Sequence, residues 1–133
     1  MPNLTVSEAF RRYDVTLRNV QWSVCGMSPE GELVVSIWSH HRRTSAPGTM
    51  EFADSFNRWS GPGNAEFRKL VAAAFAAKTA VRLVIVHTDE QEKVQSGVDA
   101  STIKKSFDPR IELIGDVIEC DESTYAFRFV KSN

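Results

Sequence analysis

The chain of 133 residues is poor in the features that would announce a function by themselves. It has two cysteines, Cys25 and Cys120, far apart and in no C-x-x-C spacing, which argues against a disulfide scaffold or a zinc ribbon. No apolar run approaches the roughly 20 residues of a membrane-spanning helix. The first residues, Met1-Pro2-Asn3-Leu4-Thr5, carry neither the basic head nor the apolar centre of a secretion signal, so a cytoplasmic location is expected. G-x-S-x-G, Walker and G-x-G-x-x-G patterns are absent. So is the carboxylate-x-lysine pair of a restriction-type nuclease. The residues two positions before Lys69, Lys78, Lys93, Lys104, Lys105 and Lys131 are Phe67, Ala76, Gln91, Thr102, Ile103 and Phe129. With His40 and His41 adjacent and His87 distant, three or four convergent metal ligands are not expected either. No catalytic residue, metal or cofactor is therefore assigned from sequence.

What is present fits one folded domain over residues 1–133. A hydrophobic fraction of 42% with 25% charged residues is ordinary for a globular chain, and this length buries enough surface to need no covalent staple. The formal net charge is −1 but unevenly spread. Residues 36–82 hold seven cations against three anions, a net of +4, whereas residues 83–133 hold six against ten, a net of −4. A basic middle third suits a phosphate backbone, though a charge block along a sequence need not share one face.

Local patterns predict the elements. Thr5-Val6-Ser7-Glu8 has the form of a capping box that opens a short helix. Val20 to Gly26 alternates in period two and, across the Ser28-Pro29-Glu30-Gly31 turn, pairs in expectation with Leu33–Trp38. Residues 40–62 form a long excursion. Asn64 is expected to cap a helix over 65–79, with Phe67, Leu70, Val71, Ala74 and Phe75 as its buried stripe. The nearly all-apolar Val81–His87 reads as a central strand covered on both faces. Residues 88–100 read as a solvated connection, and Ile111–Ile118 with Thr124–Val130 as a second hairpin. The sum of five to seven strands and two helices predicts an α+β fold: a curved or barrel-like, mostly antiparallel sheet with one long packed helix and a short N-terminal one.

The residues that invite a partner are aromatic ones beside polar and basic groups. Trp22 precedes Ser23; Trp38 precedes Ser39, His40, His41, Arg42 and Arg43; Trp59 follows Arg58. An indole face stacks on a base, and neighbouring cations hold phosphates. Trp22, alternating with Val20 and Val24, fits a core position first, whereas Trp59 in a polar stretch asks more strongly for a partner. The expected nucleic-acid-binding set is Trp22, Ser23, Trp38, His41, Arg42, Arg43, Arg58, Trp59 and Lys105.

Arg18-Asn19-Val20-Gln21-Trp22-Ser23, running through Glu30-Gly31 to Val35-Ser36-Ile37-Trp38, and Ile103-Lys104-Lys105, running through Ile114-Gly115 to Phe127, resemble a group of small, largely uncharacterised bacterial proteins from restriction-type neighbourhoods. The strand count and tryptophan placement are also similar to the PUA-like barrels, whose EVE-type members recognise modified bases. This resemblance implies a nucleic-acid-binding module for a modified or flipped base, with DNA ahead of RNA as partner. Two other readings stand beside it: a protein–protein accessory of a defence system using residues 40–62, and a histidine-dependent enzyme on nucleic acid or a nucleotide. Oligomeric state is not set by the sequence.

Overall fold

The structure, a computed structural model, describes residues 4–132. Its elements are α1 (Val6–Arg11), β1 (Cys25–Met27), β2 (Leu33–Trp38), β3 (Arg42–Arg43), β4 (Met50–Ser55), α2 (Pro62–Ala77), β5 (Val81–His87), α3 (Gln91–Gln95), β6 (Ser106–Pro109), β7 (Leu113–Cys120) and β8 (Thr124–Lys131). The eight strands form one sheet in the order β1-β2-β5-β7-β8-β4-β3, with β6 also on β5. All pairings are antiparallel except β2 with β5. The α+β class and mostly antiparallel sheet are as expected. The sheet is open, ending at β1 and β3, rather than closed into a barrel.

The N-terminal helix starts where the capping box places it. Thr5 N donates to Glu8 Oε1 and Glu8 N to Thr5 Oγ1, at 2.9 and 3.1 Å. Strand β5 is central and covered twice, as its composition predicts. Val81, Leu83 and Ile85 join the large core under α2, and Val84 joins a second core with Phe10, Tyr13 and Val34 beneath α1. Its far edge is divided: Val81 pairs with Gly115 of β7, whereas Val84–His87 pair with β6. The second hairpin forms as β7 and β8, with Tyr125, Phe127 and Phe129 buried together.

Three expectations are corrected. Residues 20–22 are a turn, not strand, and only Cys25–Met27 pair with β2. Helix α2 starts at Pro62 after Gly61, so Asn64 lies within its first turn. Asn64 does not cap the helix; it donates to the Phe56 carbonyl and accepts from Arg68. Phe75 is 41% exposed, because Phe67, Val71 and Ala74 already complete the buried face. Among the described residues, no helix is long and apolar enough to cross a membrane.

Candidate base-binding cavity

A cavity of about 820 Å³ opens beside the carboxyl ends of β2 and β5. Three segments wall it. The turn before β1 brings Val20, Gln21, Trp22 and Ser23, and the stretch after β4 brings Arg58, Trp59 and Pro62. Residues between β5 and β6 contribute Val94, Val98, Asp99, Ser101, Ile103 and Lys105. Strand ends supply Trp38, Val86, Phe107 and Tyr125, and α2 supplies Phe67.

Trp22 reaches the cavity because Asn19 folds the chain there. Asn19 O accepts from Trp22 N and Ser23 N, and Asn19 Oδ1 accepts from Gln21 N at 2.8 Å. This Asx turn outcompetes the alternating pattern that suggested strand. The Trp22 carbonyl then packs so closely against Gly63 that any side chain at 63 would displace it. Trp59 packs against Phe67 with the rings tilted by 52° and their centroids 6.1 Å apart, and its indole N–H is buried without an acceptor. Trp22, Trp38 and Trp59 are each half-buried, so none is a closed core residue.

Polar groups sit between the rings. Asp54 and Arg58 form an ion pair at 2.7 Å, 9% and 12% exposed, and Arg58 Nη1 also donates to the Val94 carbonyl. His41 lies beside them, 6% exposed, with Nδ1 3.6 Å from Asp54. The Nε2 atoms of His40 and His41 both contact Gln95 Oε1, at 3.0 and 2.6 Å. One amide oxygen can accept from both only if each imidazole carries its proton on Nε2. Burial holds His41 below the usual histidine value, against the opposing pull of Gln95 and Asp54. Burial also pushes the Tyr125 phenol up, with Asp54 adding to it, and holds the Lys105 ammonium below its ordinary value.

A test follows from His41. Its folded-state value is depressed, so the unfolded chain binds the proton more readily. Stability is then fully present above about pH 6.5, the unfolded value, and is lost as pH falls from there toward the lower folded value. Urea midpoints are expected to drop between pH 7.5 and 5, with a flatter profile in His41→Gln. An unchanged wild-type midpoint would show that His41 is not held neutral.

Seven of the nine expected site residues line this cavity: Trp22, Ser23, Trp38, His41, Arg58, Trp59 and Lys105. Arg42 and Arg43 do not. They lie on β3 at the sheet edge, where Arg42 is exposed and Arg43 pairs with Glu51 and Glu119 at 2.8 and 2.7 Å. Arg58 and Lys105 line the cavity but already have partners within the chain. Arg58 is neutralised by Asp54, and Lys105 Nζ donates to the Ala100 and Ile103 carbonyls. Sequence reading missed Phe67, Asp99, Ser101 and Tyr125. Only the Asp54/Arg58 spacing of four carried a signal for the pair that steadies the site.

A second, shallower groove of about 420 Å³ lies between Phe56, Arg68, Phe75 and Cys120, and its one cation, Arg68, already bonds Asn57, Asn64 and the Glu122 carbonyl. Among the described residues no cluster of three His, Cys, Asp or Glu side chains could hold a metal ion. Comparison with protein-family models, curated proteins and solved structures finds no match.

Proposed function

We propose that this chain is a nucleic-acid-binding module that receives one unstacked base, in DNA ahead of RNA, in the tryptophan-walled cavity. One observation carries the reading: all three tryptophans of the chain open onto the same hollow. An aromatic cavity with a few placed polar groups is the usual form of a site for a flat ligand, and base stacking on an aromatic ring is worth about 1–3 kcal/mol. A PUA-like architecture and a bacterial, restriction-associated setting belong to the same proposal. They rest on the residue patterns quoted above. Histidine catalysis is less favoured, because both ring nitrogens of His41 already face protein groups.

Because the tryptophans all line the cavity, intrinsic fluorescence reports on that site alone. Titration with mixed-sequence single-stranded DNA is expected to quench it, and Trp59→Ala to weaken binding by about 5- to 160-fold, as loss of one stack implies. No spectral change with any DNA or RNA would overturn the reading.

Salt dependence is expected to be shallow. With Arg58 in an ion pair and Lys105 tied to backbone carbonyls, the cavity lining itself offers few free cations to displace counterions. At about −0.7 per phosphate on a single strand, the slope of log K against log salt should lie between about 0 and −1.5. A slope steeper than about −3 would place the main contact on an extended phosphate-binding face instead.

A further inference from the structure

The cavity has more room than a base requires, and its lining is not all aromatic. An engineered cavity of about 150 Å³ holds benzene, so 820 Å³ leaves space beside even a two-ring purine. Cavities of about 300–1,000 Å³ commonly enclose ligands the size of a drug molecule.

Part of the lining is a polar corner built by Asp99, Ala100, Ser101 and Lys105. Asp99 Oδ1 accepts from Ser101 N at 3.0 Å, and the Ser101 hydroxyl lies against the same carboxylate, which holds the Asp99 carboxyl below its ordinary value. Asp99 and Ser101 are both exposed, so the carboxylate keeps lone pairs for a further donor. Lys105 Nζ spends two of its three hydrogens on the Ala100 and Ile103 carbonyls, at 2.6 and 3.2 Å, and keeps one. The corner thus offers an acceptor, a hydroxyl and a donor within a few residues, with charges that cancel.

That composition selects a ligand class. A phosphate or carboxylate would meet Asp99, and an ammonium would meet Lys105. Neutral hydroxyls can donate to the carboxylate and accept from the ammonium. Resting on the base-binding reading above, we propose that the cavity takes a base carrying a bulky polyhydroxylated substituent of hexose type. The base lies among the indoles and the hydroxyls on Asp99, Ser101 and Lys105.

The test compares three otherwise identical oligonucleotides, titrated by tryptophan fluorescence against the full chain. They carry cytosine, 5-hydroxymethylcytosine or its glucosylated form. The glucosylated strand is expected to bind at least tenfold more tightly than the unmodified one, and both Asp99→Asn and Ser101→Ala to cut that ratio below threefold. Equal affinity for the three strands overturns this inference and leaves the base-binding reading standing. An undiminished ratio in both variants overturns the assignment of the corner. Absence of binding by all three strands overturns the base-binding reading itself.

Discussion

Replacing Arg58 with alanine is expected to cost about 3–5 kcal/mol of stability, the range for breaking one side of a buried ion pair. The guanidinium holds two parts of the molecule together. It pairs with Asp54 at the end of β4 and donates to the Val94 carbonyl of α3, at 2.7 and 2.8 Å. Its own carbonyl packs against Gly97, which sits at φ +80° with no space for a side chain. Alanine would leave the Asp54 carboxylate buried beside His41 and Tyr125 with no cation, and would release the segment carrying Val94, Val98 and Asp99 from the cavity wall. Lysine keeps the charge but not the forked geometry, so Arg58→Lys is expected to fall between wild type and alanine in urea unfolding. Pairing Arg58→Ala with Asp54→Asn removes the stranded charge and should restore part of the loss. A double variant no more stable than Arg58→Ala would show that the cost does not come from the uncompensated carboxylate. Since whole-domain stability is usually about 5–15 kcal/mol, the single variant should also be visibly poor in thermal melts.

Where the pattern was local, it could be read from the chain. The Thr5/Glu8 box, the doubly buried Val81–His87 strand and the hairpin of β7 and β8 each depend on residues close in sequence, and each formed. The errors arose where a side chain found a competing partner. Val20, Trp22 and Val24 alternate like a strand, but Asn19 captures the backbone of 21–23 and turns it. Asn64 has the chemistry of a cap, yet Phe56 and Arg68 claim its amide. Closure into a barrel was not legible, because strand count says nothing about whether the two edges meet; here β1 and β3 remain apart. The site divides the same way. The indoles stood out by residue type, but Arg43 and Arg58 could not be recognised as spent charges until Glu51, Glu119 and Asp54 were brought against them. Asp99, Ser101 and Tyr125 join the cavity only through the fold, from about 40 to 100 residues away from Trp22 and Trp59 in the chain.

Phe67→Ala is expected to be as damaging as the loss of Arg58, for a different reason. The side chain is 1% exposed and its ring is ringed by aromatics: Tyr125 at 5.0 Å, Phe56 at 6.0 Å, Trp59 at 6.1 Å and Phe127 at 6.3 Å between centroids. Deleting a buried phenyl costs about 3–5 kcal/mol, partly as lost transfer energy and partly as the void left behind. Phe75→Ala, eight residues on in the same helix but 41% exposed, should cost well under about 1 kcal/mol, which makes it the control for helix propensity. Because Phe67 also lines the cavity, its removal joins the new void to the existing hollow and takes away the ring that backs Trp59. Phe67→Leu separates the two roles. It refills much of the volume, so it should recover most of the stability, but it restores no aromatic ring to hold the indole. Trp59 should then sample more orientations, and DNA binding should stay weaker than wild type at temperatures where both proteins are folded. A leucine variant that matches wild type in both urea midpoint and affinity would mean that the indole is positioned by the backbone at Gly61-Pro62-Gly63 rather than by the ring beneath it.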